Sequence, residues 1–152
     1  MTFKNSWRRN NIGRRMNEAV RLFEAEIVAH LAASGHGELT QTHINLTRNL
    51  DEDGTRLTVL ARRAAMTKQS MGELVDQIER TGLIERRPDP SDGRAKLICF
   101  TDKGLVWLEA FHHSLERAEK TMRAELGDET VDMMVGALGR YVDAQDKNTD
   151  TA

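Results

Sequence analysis

The sequence predicts a mainly α chain with one short β-hairpin set inside it. Three observations carry that reading. Apolar residues recur at helical spacing along most of the 152 residues. Both prolines, Pro88 and Pro90, sit in one polar tip between two β-prone runs. Aromatic residues make up only 5% of the chain and charged residues 30%, a balance suited to helix-rich folds. The length suits a single domain with a real core.

In chain order, residues 1–10 have no apolar period and read as a mobile basic arm. From Lys4 to Arg15 there are five basic residues, Lys4, Arg8, Arg9, Arg14 and Arg15, and no acidic one. A long helix is expected from about Asn11 to Ser34, with Met16, Val20, Phe23, Ile27 and Leu31 on one stripe and Gly35 as its stop. A second helix follows with Thr40 as N-cap and ends before Asp51–Gly54, completing an N-terminal helical region over 11–54.

Residues 55–104 hold the most informative stretch. Leu57, Leu60, Ala61 and Ala64 fall at i, i+3, i+4 and i+7, and Thr55 is the expected cap of their helix. Met71, Leu74, Val75 and Ile78 repeat the spacing in a second helix, capped by Thr67 and stopped at Gly82. Two short helices joined by a turn of a few residues describe a helix-turn-helix. Two strands should follow, Leu83 to Arg87 and Lys96 to Thr101, with Asp92-Gly93 as the turn signal. A hairpin directly after such a helix is a wing.

After the wing another long helix is expected from Thr101 or Asp102. Leu105, Leu108, His112, Leu115, Glu119, Met122 and Leu126 step by three and four, close to a heptad. A pause at Gly127-Asp128 leads to a last helix with Val131, Met134, Val135, Leu138 and Val142 on its apolar face. These helices fill 105–145, and 146–152 read as a disordered tail. Long helices at both chain ends suit a dimerisation platform.

The run from Leu57 to Gly104 resembles the MarR family of winged helix-turn-helix transcriptional regulators. Helix, turn, helix, a Asp89-Pro90-Ser91-Asp92-Gly93-Arg94 wing and Thr101-x-x-Gly104 occur in that order. The resemblance implies duplex DNA as partner, a homodimer formed by the terminal helices, and a small aromatic effector bound between platform and reader. Repression by promoter occlusion is the expected sign of control, and a pseudo-palindromic operator the expected target.

Charge agrees with the placement of the reader. Net charge is −2, yet residues 55–104 hold 10 Lys and Arg against 7 Asp and Glu, while residues 105–152 hold 5 against 10. At the front of the second reader helix, Thr67, Lys68, Gln69 and Ser70 are placed to meet a major groove, with Gly72 and Glu73 behind them. Gln pairs with adenine through two hydrogen bonds, and Lys suits guanine or phosphate. Arg94 at the wing tip suits a narrow minor groove, with Asp92 expected to hold its guanidinium by a charge-assisted pair. Arg62, Arg63, Arg86 and Lys96 are candidate phosphate contacts, with Arg87 beside them.

Phe23, Ile27, His43, Trp107 and Phe111 are the candidate lining of the effector pocket. The five histidines show no metal-ligand spacing, so no metal or cofactor is expected. An enzyme is disfavoured by the lack of a Gly-rich phosphate loop, of G-x-S-x-G and of H-E-x-x-H. The other reading is a winged helix used only as a protein-interaction module. No apolar run approaches the roughly 18 residues of a membrane span, and the single cysteine, Cys99, excludes an internal disulfide. A soluble cytoplasmic protein is expected.

Overall fold

A computed structural model of the chain describes residues 6–149. The chain divides into two compact units, residues 1–114 and 115–152. The first holds α1 (Ser6–Arg9), α2 (Ile12–Ala33), α3 (Gln41–Asn49), β1 (Thr55–Arg56), α4 (Leu57–Arg63), α5 (Lys68–Glu79), β2 (Ile84–Asp89) and β3 (Asp92–Phe100). α6 (Asp102–Leu126) runs from the first unit into the second, and α7 (Asp128–Thr149) completes the described chain. The expected class, a mainly α winged helix-turn-helix flanked by long helices, is the one observed.

Caps fix most helix starts. Asn11 Oδ1 accepts from the Arg14 amide at 2.9 Å, and its side-chain amide donates to the Trp7 carbonyl at 2.8 Å. That second bond ties α1 to α2, so Ser6–Arg9 is helical within the stretch expected to be a mobile arm; Lys4 lies outside the described residues. The stripe on α2 divides along its length: Ile27 and Leu31 are buried, while Met16 and Val20 are exposed. At α3, Thr40 is the N-cap and His43 closes a capping box, its Nδ1 accepting from the Thr40 amide at 3.1 Å.

Two local expectations are corrected at the start of the reader. Thr55 does not cap α4. It pairs with Ile98 in the sheet, and its hydroxyl is held by Asp51, accepting from that residue's amide at 3.0 Å and donating to its carboxylate at 3.1 Å. Arg56 stands at the N-cap position instead, without a capping side-chain bond. The sheet therefore has three antiparallel strands, in the order β1-β3-β2, rather than a bare hairpin. The Asp92-Gly93 pair is not the turn either. Asp89 faces Asp92 across the ladder, so Pro90 and Ser91 make the turn.

The core of the reader follows the predicted periodicity. Met71, Leu74, Val75 and Ile78 of α5 are buried with Leu60 and Ala61 of α4. Each large apolar side chain so buried contributes about 1.5–3 kcal/mol. Between the helices, Ala65 takes φ 51°, a left-handed conformation that carries a small cost for a residue with a Cβ.

The joint between wing and α6 explains the Thr101-x-x-Gly104 motif. Thr101 Oγ1 donates to the Gly82 carbonyl at 2.5 Å and accepts from the Gly104 amide at 3.0 Å. A Cβ on Gly104 would come within 1.9 Å of the Leu83 carbonyl oxygen, so only glycine allows this approach.

In the second unit, Arg123 gathers Glu119 at 2.7 Å, Asp132 at 2.9 Å and Asp128 at 3.5 Å around the Gly127 break. α7 continues to Thr149, so most of the stretch expected to be a disordered tail is helical; residues 150–152 lie outside the described residues. Among the described residues no helix is long and apolar enough to cross a membrane.

Candidate nucleic-acid interface

The front of α5 is built by its cap. Thr67 Oγ1 accepts the Ser70 amide at 3.1 Å and donates to Ser70 Oγ at 2.9 Å, which leaves Lys68 and Gln69 exposed at the open end of the helix. Gln69 Nε2 donates to Glu73 Oε1 at 3.4 Å. An exposed acid one turn behind thus steadies the side chain placed to read a base. Gly72 is not demanded by packing: a Cβ there would meet only Leu57 Cδ2, at an ordinary 3.9 Å.

The candidate cations separate into two groups. Arg86 is engaged inside the reader, bonded to Glu79 and, at 2.6 Å, to Asp76. Arg63 holds Asp51 at 2.8 Å and the Asn49 carbonyl at 2.9 Å. Arg87 pairs with Glu85 at 2.6 Å. Those pairs lower the Asp51 carboxyl, chiefly through the hydrogen bond from Arg63, and raise Arg87, chiefly through its hydrogen bond to Glu85. Arg62, Lys68, Arg94 and Lys96 are exposed and form no ion pair among the described residues. Arg63 and Arg86, expected as phosphate contacts, are each paired with internal acids in this structure.

Asp92 and Arg94 lie together at the wing tip, but not as expected. Asp92 Oδ1 accepts from the Arg94 backbone amide at 3.1 Å, so it fixes the chain at Arg94 and leaves the guanidinium unpaired. The acid's other oxygen lies 4.0 Å from Arg56. Arg56 also donates to Asp89, from Nε at 2.7 Å. Sequence reasoning missed both Arg56 and Asp89. The one available signal was the first acid of the Asp89-Pro90-Ser91-Asp92 turn, a residue type whose carboxylate commonly accepts the amide two positions on.

The five candidate pocket residues differ in burial and partners. Ile27 and Trp107 are core residues, and His43 serves the α3 cap while its Nε2 faces Gln77 Oε1 at 3.3 Å. Phe23 is half-buried. Phe111 alone of the five lines a cleft of about 440 Å³, together with Thr47, Leu50 and Leu108 and the polar Arg48, Asp51 and Glu52. Trp107 stacks on Phe111 at 5.3 Å between ring centroids, and its buried indole N–H has no hydrogen-bond partner. Among the described residues no group of three His, Cys, Asp or Glu could hold a metal ion. Cys99 is buried in β3, and burial raises its thiol pKa.

Comparison with known proteins gives this geometry relatives. Residues 45–95 match a family profile described as MarR family. A curated relative from Bacillus subtilis (strain 168), the uncharacterized HTH-type transcriptional regulator YdgJ, is 27% identical over 103 residues, 68% of this chain; the match spans about half, 53%, of that relative's length. The crystal structure of a probable transcriptional regulator from Pseudomonas aeruginosa is 26% identical, with a TM-score of 0.70 over 87% of this chain and 97% of that one. A crystal structure of MarR shares the fold at 19% identity, with a TM-score of 0.78 over 94% and 96% of the two chains. The reader thus matches the MarR family, and the fold is that of winged helix-turn-helix regulators. Its relatives in sequence and fold are transcriptional regulators rather than enzymes.

Proposed function

We propose that this chain represses transcription by binding a pseudo-palindromic operator as a homodimer, and that a small aromatic ligand releases it. The front of α5 enters a major groove, with Thr67, Lys68, Gln69 and Ser70 leading and Gly72 and Glu73 behind them. Arg94 enters the neighbouring minor groove, and Lys96 and Arg62 meet phosphates. The observation that carries this reading is the unpaired Arg94 guanidinium at a wing tip whose backbone Asp92 holds. Gly72 supports it: packing does not require glycine there, and a helix interior disfavours it by about 1 kcal/mol, while close approach to a base edge favours it.

Two chains of the same fold have been seen on DNA, the repressor CouR on a 23-mer duplex and S. aureus MepR in a DNA complex. A dimer is supported by apolar residues left exposed at both ends of the chain, Ile12, Met16 and Val20 on α2 and Met134, Leu138 and Val142 on α7. Two readers would then address half-sites about 34–36 Å apart. The ligand reading rests on the cleft beside Phe111 and on the unpartnered indole donor next to it. The streptomycete regulator PcaV shares the fold and has been crystallised with its natural ligand.

A genome-fragment binding selection with the purified chain, with and without a panel of aromatic acids, tests the proposal. Enrichment of a palindrome that one acid weakens is the expected result. Arg94→Ala should lower affinity for the enriched duplex at least tenfold while the melting temperature holds. No enrichment at any salt concentration would move the reading to a protein-interaction module, because a DNA binder loses affinity steeply as salt rises but binds tightly at low salt.

A further inference from the structure

β1 is only two residues long, and it pairs with β3 only at Thr55↔Ile98 and Arg56↔Leu97. Beyond Leu97 the wing is two-stranded, and its ladder is irregular between Pro88 and Asp89. A side chain covers the span that the backbone of β1 does not. Arg56 places Nε at 2.7 Å and its terminal nitrogen at 2.5 Å on Asp89 Oδ2, and the same nitrogen reaches Ser91 Oγ at 3.4 Å and Asp92 at 4.0 Å.

Asp89 is a built anchor rather than a surface acid. It is 6% exposed, and its other oxygen accepts the Ser91 amide at 2.8 Å and the Ser91 hydroxyl at 2.7 Å. Ser91's hydrogen bonds, then Arg56's, hold its carboxyl down to about 2, so the anchor stays charged at any working pH. Paired surface charges are weak in general. Here one partner is nearly buried and takes two donors of a planar fork on a single oxygen, a geometry that carries direction as well as attraction.

We propose that Arg56 is a positioning residue for DNA binding, bracing the wing tip from the first strand of the reader and fixing, through Asp92, where Arg94 stands. The inference rests on the wing reading given above. The route is short: Arg56 holds Asp89 and approaches Asp92, and Asp92 holds the Arg94 amide. Arg56 also immediately precedes α4, so the brace ties the wing to the entrance of the helix-turn-helix that the major groove receives. A wing without it would still fold but would sample many angles to α5, and Arg94 would have to be ordered at the moment of binding.

The test uses the full chain in two arms. Amide hydrogen exchange of the free protein should quicken at least tenfold at Ser91 and Arg94 in both R56Q and D89N, with α5 amides unchanged. Unchanged exchange at those two amides overturns the brace. In the second arm, affinity for the selected duplex should fall at least fivefold in R56Q and less in R56K. The double variant R56Q/R94A should bind within twofold of R94A. Losses that multiply instead would mean that Arg56 does not act through Arg94, and would overturn that route. The exchange arm needs no DNA, so it decides the brace even if R94A binds as tightly as the native chain, an outcome that would overturn the wing reading itself.

Discussion

The reader and the last helix have similar apolar periodicity and opposite fates. In the reader, Leu60, Met71, Val75, Ile78, Leu83, Ile84 and Ile98 are all but completely buried. In α7, Val131 is buried, but Met133, Val135, Tyr141 and Val142 are more than half exposed. Periodicity reports which residues want to leave water; it does not say whether one chain or two supplies the cover. The reader is complete on its own. The apolar side of α7 stays exposed in the single chain, and the proposed homodimer would cover it.

The comparison breaks most sharply at Gly104. Gly104→Ala forces a Cβ against the Leu83 carbonyl and should destabilise the reader by about 3 kcal/mol, read in urea unfolding. A change under about 0.5 kcal/mol would show that the joint between wing and α6 yields. Charging the exposed face of α7 tests the other side. Leu138→Glu together with Met134→Glu should weaken self-association at least tenfold in sedimentation while the isolated chain keeps its helical circular dichroism. A native monomer, or an unaffected dimer, would remove α7 from the interface.

A smaller effect separates stability from binding within the reader. Gly72→Ala should stabilise α5 by up to about 1 kcal/mol and still weaken duplex binding, since in the proposed complex the added methyl faces the groove. Tighter binding would return Gly72 to an incidental position. The smallest effect concerns acid. Asp89's carboxyl lies at about 2 against an ordinary 3.8, so the folded state favours its charged form. That stabilisation is present above about pH 4 and is lost as pH falls towards 2. Asp89→Asn should flatten the fall of unfolding free energy across that window, and an unchanged slope would mean that other acids carry it.

Much of this was legible beforehand, and the limits have a physical cause. Helical spans, the Thr67 and Thr40 caps and the Gly82 stop are local signals, set within one or two turns, and they appear where the sequence places them. β1 was not legible, because a two-residue strand has no period and exists only through partners forty residues away. The turn at Pro90-Ser91 displaced Asp92-Gly93 for the same reason: cross-strand register outweighed local turn preference. The site was half legible. Residue types named the exposed front of α5 and the place of Arg94 at the wing tip. They could not tell that Arg86 is held by Asp76 and Glu79, that Arg63 is held by Asp51, or that Asp92 grips a backbone amide rather than a guanidinium. Side-chain partners across elements leave no mark in spacing.

The stacked pair Trp107 and Phe111 has an optical consequence. The chain has two tryptophans. Trp107 is fully buried beside the cleft, while Trp7 is 69% exposed. Their emission should separate into a blue component from the shielded indole and a red one from the wetted indole, and iodide should quench only the second. What survives quenching comes from a ring in contact with Phe111, a lining residue of the cleft. The protein thus carries its own dye at the place where an effector is proposed to arrive, and titrating candidate acids against that residual light requires no label.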